Sequence, residues 1–366
     1  MQTFDVIVVG GGMAGASLGY ELAADRSVLV LDMEPTLAYH TTGRSAAMFL
    51  ETYGGPVIRA LTTASRAALI ERAVLTPLPM LHVARPGRGV VLDEMFRAVR
   101  VLAPDVQLLR EDEVVAAQPL LRPGAVESAL LEPGAMEIDV HALHQFFVHG
   151  LRARRGAITT SARVHSATRA GGAWTLGDWQ APVVVDAAGA WADEVATVFG
   201  ACPVGLRTLR RTAFMVDAPT GARAPMIADI DDAFYVKPDA GRLLCSPADE
   251  TPQPPGDARP DEMEIARAID VINDVTTLDV RHVRSSWAGL RNFVTDRAPV
   301  VGFDPDVPGF YWFAAQGGYG IQTAPALART GAALLRGEPV PADVAALGLA
   351  ADSIAPQRLG RVRTIG

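Results

Sequence analysis

The chain has 366 residues, of which 49% are hydrophobic and 20% charged, with a formal net charge of −8. A chain of this length buries a large core and accommodates two domains, and its acidic balance argues against nucleic acid as a partner. No apolar run reaches the ~18 residues that span a bilayer, and no basic, apolar leader precedes the first predicted strand; the expectation is a cytoplasmic protein for which peripheral membrane contact stays open.

Phe4 to Val9 is a short apolar run predicted as a strand. It ends in Gly10-Gly11-Gly12-Met13-Ala14-Gly15, a Gly-x-Gly-x-x-Gly turn that passes into a predicted helix, Ala16 to Leu22. Gly10 permits the tight turn, Gly12 lets the backbone approach a pyrophosphate, and Gly15 lets helix and strand pack closely. The unpaired N–H groups at the helix start, with the helix dipole, favour an anion there. A second predicted strand, Val28 to Leu31, ends in Asp32, placed to accept hydrogen bonds from ribose hydroxyls. The glycine pattern alone is a weak signal. The strand before it, the helix after it and the acid at the next strand's end set aside an ordinary glycine-rich turn. The overlapping Gly15-Ala16-Ser17-Leu18-Gly19 matches a Gly-x-Ser-x-Gly nucleophile pattern, but that pattern needs its serine at the turn itself. Ser17 lies inside the helix and is read as a packing residue.

Glu34-Pro35 opens an irregular loop from Tyr39 to Ala47. Residues 57–75 have helical spacing. Leu81 to Leu92 reads as two strands around a Pro86-Gly87 turn, and 93–103 and 111–117 read as helices, before a turn-rich passage through Glu132-Pro133-Gly134. A helix over 139–154 carries His141, His144 and His149, whose spread of about 80 degrees or more around the axis fits no compact metal-ligand set. Strands follow near 158–168, 172–178 and 183–185, the last running into Asp186 to Trp191, a second strand-turn facing a dinucleotide. Cys202 and Cys245, the two cysteines, have no metal-type or redox-type spacing and are expected to be buried free thiols of a reducing compartment. Residues 207–250 alternate as sheet does, and the single lysine, Lys237, falls in this stretch. The acidic, proline-rich 249–262 is a surface loop, and a helix follows to about 274. Tyr311 to Ala315 is a buried strand, Gln316-Gly317-Gly318-Tyr319-Gly320 a turn, and Ile321 to Leu335 a helix. Gly317 and Gly318 bring backbone N–H groups towards an acceptor. The expectation is a discontinuous α/β dinucleotide-binding domain with a sheet-rich substrate domain inserted in it.

Gly10 to Gly15 with Asp32, Gly43-Arg44-Ser45-Ala46-Ala47, Asp186-Ala187-Ala188-Gly189-Ala190-Trp191, Trp287-Ala288-Gly289-Leu290-Arg291 and Ala315 to Thr323 together resemble the FAD-dependent amine and amino-acid oxidoreductases related to D-amino-acid oxidase, the DAO superfamily. The resemblance covers nearly the whole chain. His40 to Ala47, Phe234 to Gly241 and Gly317 to Thr323 are similar to the bacterial D-arginine and D-amino-acid dehydrogenases within it. The resemblance implies a Rossmann-like FAD-binding domain of the GR2/DAO type, from 1–80, 135–203 and 297–366, and an antiparallel-sheet α+β substrate domain from 81–134 and 204–296. It implies non-covalent FAD, since no cysteine stands where flavin-linking relatives carry one. The cofactor contacts it carries over begin with Gly10, Gly12, Met13, Ala14, Gly15, Asp32 and Met33. They continue through Thr42, Gly43, Arg44, Ser45, Ala46 and Ala47, then Val164, Ala188, Gly189 and Trp191. They end with Gly317, Gly318, Tyr319, Gly320, Ile321 and Gln322.

The same resemblance implies a two-electron oxidation of an amine carbon, with hydride passing to the flavin and the imino acid hydrolysing to keto acid and ammonia. Arg211, Tyr235 and Arg291 would hold the substrate carboxylate, Tyr53 would line the site, and the Gly318 carbonyl would face the amine. An arginine fork gives oriented, bidentate recognition of a carboxylate. Met48, Leu50, Arg88, Ala228 and Gln322 would form the rest of the substrate pocket. Plainer roles compete: Arg291 as a surface arginine, Arg211 as one of a pair with Arg210 that points to opposite faces of a strand, and Tyr235 and Tyr53 as core tyrosines. The apolar Trp287 to Leu290 around Arg291 calls for an anion.

Two departures point away from D-arginine. Met48 stands where those dehydrogenases have a histidine, and Pro86-Gly87-Arg88-Gly89 offers no acid where they receive the guanidinium. A buried guanidinium without a carboxylate is costly. Met48, Phe49 and Leu50 predict a pocket for apolar side chains, with Arg88 as a route to an acidic substrate and Glu51 to a basic one. Three other readings stay open: oxidation of a secondary or cyclic amino acid on the same fold, a non-catalytic flavin-binding subunit, and an NAD-dependent dehydrogenase, the last disfavoured by Ala188-Gly189 and Gly317-Gly318. Oxygen and a quinone are both open as electron acceptor.

Overall fold

The computed structural model describes residues 1–101, 103–219 and 225–360. Leu102 in the predicted helix 93–103, residues 220–224 within the predicted sheet, and 361–366 at the end of the last predicted cofactor segment lie outside the described residues.

Val6–Val9 and Val28–Leu31 are buried along their whole length, as strands covered on both faces must be. They belong to a six-stranded sheet in the order Ala157–Thr159, Val28–Leu31, Val6–Val9, Val183–Asp186, Phe310–Ala314, Val300–Phe303. The first five run parallel and the last is antiparallel. The chain moves from Val6–Val9 to one neighbour early and to the other late, so the crevice beyond the carboxyl end of Val6–Val9 is a topological switch point, where α/β sheets bind ligands. Helices Met13–Leu22 and Gly320–Leu335 cover one face, through Leu18, Leu22, Ala326 and Leu327. Trp174, Leu176, Val195 and Phe199 cover the other.

The second large sheet runs Thr251–Pro252, Arg207–Asp217, Arg242–Ser246, Tyr235–Asp239, Met226–Asp229, Met80–Ala84, Ser128–Glu132, Gln107–Arg110, and Ser285–Phe293 also pairs with Arg207–Asp217. Strand alternation divides its side chains. Phe214, Val216, Val236 and Cys245 pack on helix Glu262–Val275 through Ile265, Ala268 and Ile272. Ala213, Met215, Tyr235 and Leu244 face the other way, towards Leu50 and Met48. No helix among the described residues is long and apolar enough to cross a membrane.

Several expectations need correction. The second half of Leu81 to Leu92 is not a strand: after Met80–Ala84 the chain enters helix Gly89–Val99. Leu92 and Val99 are buried while Val90 is 70% exposed, which is helical period rather than strand alternation. Strand Gln107–Arg110 is an addition. The predicted strand 158–168 shortens to Ala157–Thr159, and the backbone turns at Ser161, φ 54°. Cys245 is buried, but Cys202 is exposed, in an irregular stretch after helix Ala192–Val198.

Candidate functional site

A cavity of about 360 Å³ opens beyond the carboxyl ends of the parallel strands, against Val9, Leu31, Ala187 and Ala314. The glycine turn forms one end. Gly10 has φ 108°, and a Cβ there would lie 2.4 Å from the Ala187 carbonyl oxygen; one at Gly15 would lie 1.8 Å from that of Gly10. Only glycine permits this approach of turn, strand and helix. The Met13 N–H donates to Thr42 Oγ1 at 3.0 Å. Asp32 accepts from the Gly11 N–H at 2.7 Å and the Glu34 N–H at 2.8 Å, one to each carboxylate oxygen, which leaves acceptor lone pairs on both. Burial raises its pKa, although both hydrogen bonds favour the carboxylate.

His144 is buried behind this turn, with Nε2 2.9 Å from the Gly11 carbonyl. A carbonyl only accepts, so that nitrogen carries the proton. Burial lowers the pKa of the ring. The histidine trio therefore contributes a buttress for the turn, a role that no spacing rule in the sequence signals.

Of the predicted cofactor residues, Gly12, Ala14, Met33, Arg44, Ser45 and Ala46 join Gly10, Met13, Asp32 and Thr42 on the wall. Val164, Ala188, Gly189 and Trp191 line it further along, and Gly317, Gly318, Gly320 and Ile321 close the far end. The rest lie just behind. Gly43 is pressed on the Ala38 carbonyl, where a Cβ would come within 2.6 Å. The Ala47 carbonyl accepts from the Ile138 N–H at 2.9 Å. Tyr319 packs with Ile58, Leu209 and Phe293. Gln322 accepts from the Leu50 N–H at 3.1 Å and donates to Thr62 Oγ1 at 2.9 Å, so it joins helix Gly320–Leu335 to the segment before Tyr53. The Arg44 guanidinium reaches the carbonyls of Ala288 and Ala258 at 3.0 and 3.2 Å, which ties the predicted surface loop 249–262 to the site.

Sequence reasoning missed Asn292 and Gln316. Both line the cavity, and Asn292 Oδ1 and Gln316 Nε2 are buried with no partner among the described residues. It also missed His40, whose Nε2 lies 2.9 Å from Glu34 Oε1 and whose ring lies 4.6 Å from that of Trp191.

At the end towards the second sheet the wall carries Arg211, Ala213, Tyr235, Arg291 and Gly318. Arg291 Nη1 donates to the Tyr53 hydroxyl at 3.1 Å. Burial works against its charge, but the phenol oxygens of Tyr53 and Tyr235 outweigh it and hold its pKa above the ordinary value. A Cβ at Gly318 would lie 2.8 Å from the Arg291 guanidinium carbon, so the guanidinium rests on bare backbone. Arg211 makes one long contact, 3.3 Å, to Glu250, and its Nε is buried without a partner among the described residues. Burial and the like charge of Arg291 lower its pKa. Glu250 is held more firmly by Arg297, at 2.8 and 3.0 Å. Two facing guanidiniums and an unused donor make an anion-binding recess.

Met48, Leu50 and Ala228 lie off this wall, packed with Tyr53, Tyr235 and Ala213 in one apolar cluster. Arg88 is not brought to the recess: it is a surface residue paired with Asp231 at 2.7 Å. Glu51 is paired with Arg66 at 2.5 Å. Arg210 points elsewhere, to Asp249 at 2.9 Å and Asp261 at 3.3 Å.

A family model described as DAO, FAD dependent oxidoreductase, matches residues 5–334. FAD-dependent oxidoreductase domain-containing protein 1 of Bos taurus is 30% identical over 167 residues, which cover 40% of this chain and 34% of the bovine protein; the matched stretch thus spans about a third of that relative. Glycine oxidase of Geobacillus kaustophilus is 23% identical over 347 residues, covering 88% of this chain and 90% of that protein. Its crystal structure superposes with a TM-score of 0.84 at 20% identity over 100% of both chains. Iminodiacetate oxidase from Chelativorans sp. BNC1 superposes with a TM-score of 0.79 at 18% identity, over 96% of this chain and 98% of the other.

Proposed function

The chain belongs to the DAO family of FAD-dependent oxidoreductases, and from that premise we propose that it oxidises the C–N bond of an α-amino acid, in the first place an apolar D-amino acid. FAD is the cofactor of that family, and the cavity suits it. A bare glycine turn at a helix start meets a pyrophosphate, Asp32 keeps lone pairs for ribose hydroxyls, and Asn292 and Gln316 bring to the wall polar atoms with no partner among the described residues. When bound, FAD accepts the hydride that leaves the amine carbon.

The chain's own residues bind and orient. Arg211 and Arg291 grip the substrate carboxylate with Tyr235 beside them, and Tyr53 holds Arg291 in place. The Gly318 carbonyl accepts from the amine. The amine gives up one proton to solvent as the hydride departs, and water then converts the imine to keto acid and ammonia. An apolar side chain lies against Ala213 and Tyr235 on the wall, with the cluster of Met48, Leu50 and Ala228 packed behind them. The clamp and a fixed flavin face admit one enantiomer; the D form rests on the likeness of His40 to Ala47, Phe234 to Gly241 and Gly317 to Thr323 to D-arginine and D-amino-acid dehydrogenases. D-Arginine itself is disfavoured, since Glu51 is spent on Arg66. In this reading 1–80, 135–203 and 297–366 hold the cofactor, and 81–134 and 204–296 the substrate. The observation that carries the proposal is the pair Arg211 and Arg291 on one wall, with an Nε on the first that has no partner among the described residues.

A second reading, a secondary amine such as an N-substituted glycine, is favoured by the similarity to iminodiacetate oxidase. The test is anaerobic mixing of holoenzyme with D- and L-leucine, methionine, phenylalanine and arginine, and with glycine, sarcosine and iminodiacetate, reading the flavin's visible band. Bleaching by the apolar D-amino acids supports the first reading, and bleaching by the N-substituted compounds alone supports the second. No bleaching by any of them, in protein that dithionite reduces, overturns both. Admitting oxygen afterwards reads whether oxygen is the acceptor.

A further inference from the structure

Lys237 is the only lysine among 33 basic residues, and it is 3% exposed. It lies two positions along strand Tyr235–Asp239 from Tyr235, so both side chains leave the same face of the sheet. Its Nζ donates to the Ala46 carbonyl at 3.1 Å and to Glu137 Oε1, and Asp239 Oδ1 lies 3.6 Å away. Ala46 is on the cavity wall. The next residue, Ala47, has φ 40°, a left-handed conformation that costs an alanine energy and persists only where neighbours over-determine it.

The neighbours are all in view. The Ala46 carbonyl is held by Lys237 and the Ala47 carbonyl by the Ile138 N–H. Met48 pairs in the ladder with Glu137, the residue that also takes the Lys237 ammonium. Three successive residues are thus fixed from one side by a single charged pair and the short strand Met136–Ile138, which bears Glu137. A compact ammonium with three donors can meet three acceptors disposed around a point, whereas the planar, longer guanidinium cannot. That accounts for a lysine at this position in a chain whose every other side-chain cation of this kind is arginine.

We propose that Lys237 and Glu137 are positioning residues: a buried ammonium–carboxylate brace that holds the strained Ala46–Ala47 backbone against the cofactor and sets it in register with the sheet carrying Tyr235. The inference rests on FAD occupying the cavity but not on the identity of the amine substrate.

The test uses holoenzyme of K237M, K237R and E137Q. The readouts are the visible circular dichroism of bound flavin, the dissociation constant for FAD, and the limiting rate and half-saturation of flavin reduction by the best substrate. K237M and K237R are both expected to change the flavin dichroism and to lower the limiting rate ~10- to 100-fold, the scale of a misplaced reacting group, with half-saturation nearly unchanged because Arg211 and Arg291 are intact. E137Q changes the same readouts in the same direction but less, since Ala46 and Asp239 still hold the ammonium. Folded K237M with unaltered flavin dichroism, FAD affinity and limiting rate overturns the brace. Should K237M not fold, E137Q with all three readouts unaltered overturns it equally. Dichroism and FAD affinity need no substrate, so they decide the matter even if every proposed amine fails.

Discussion

Arg211 and Arg291 lie on one face of two adjacent antiparallel strands, because the ladder sets Leu209 opposite Arg291 and Arg211 opposite Gly289. Like charges so placed repel. Arg211 meets the Glu250 carboxylate, which Arg297 holds more firmly, and Arg291 meets the Tyr53 hydroxyl; three guanidiniums thus share Glu250 and the Asp232 carboxylate, which leaves positive charge over. In the proposed function a substrate carboxylate takes up that excess charge.

Replacing Arg291 by alanine is expected to lower kcat/KM for the amino acid ~100-fold or more, since charge-assisted hydrogen bonds contribute ~1.5–3 kcal/mol each. FAD content should not change. Arg291→Lys should recover only part of the loss, because an ammonium lacks the fork. Steady-state kinetics beside the flavin-to-protein absorbance ratio checks both statements.

Tyr53→Phe removes the acceptor for Arg291 Nη1, worth ~1 kcal/mol or a five- to tenfold rise in KM. The segment bearing Tyr53 is itself held by buried Glu132, which accepts from the Glu51 N–H at 2.8 Å and from the Thr52 hydroxyl. Glu132→Ala should therefore raise KM at least as much as Tyr53→Phe, and a Tyr53→Phe/Glu132→Ala double variant should show less than the sum. Kinetics on the four proteins of the cycle measures that coupling.

Gly15→Ala places a methyl 1.8 Å from the Gly10 carbonyl. Backbone cannot yield as a flexible side chain does, so the cost is at least the ~1–3 kcal/mol of an overpacked core, and FAD affinity falls with it. Thermal melts of the apoprotein and FAD titration report the two effects separately.

His82 is buried on strand Met80–Ala84, with Nε2 unpartnered among the described residues and burial pushing its pKa down to about 4. Below its ordinary value of 6.5 the unfolded chain binds a proton that the folded one does not. Stability is therefore lost as pH falls from there. Between about pH 7 and pH 5 this one residue should cost about 2 kcal/mol. Denaturant unfolding of His82→Phe at both pH values should show a smaller acid penalty than the parent by about that amount.

The cofactor half of the molecule was legible because its signals are local. A glycine turn, an apolar run before it and an acid at the next strand's end are set by backbone sterics within some thirty residues. The first turn of helix Gly89–Val99 was hidden behind Pro86-Gly87, which reads as a hairpin, so the helix expected over 93–103 starts four residues earlier, and Gln107–Arg110 is too short to show a period. The substrate pocket was harder, because its members meet across long separations. Arg88 was expected in it, but pairs with Asp231, 143 positions away. His144 supports Gly11 from 133 positions away, no motif marks Asn292, and Gln316 stands in a motif that was read for its glycines alone. Arg291 and Arg211 could be picked out by resemblance, yet only the ladder register shows that they share a face.

The most direct test of the account compares one amino acid with its decarboxylated amine, each mixed anaerobically with holoenzyme while the flavin band is followed, in the parent and in Arg291→Ala. Rapid bleaching of the parent by the amino acid, with slow or no bleaching by the amine and no preference left in the variant, is the predicted result. Equal bleaching of the parent by both compounds would contradict the carboxylate clamp on which the assigned chemistry rests.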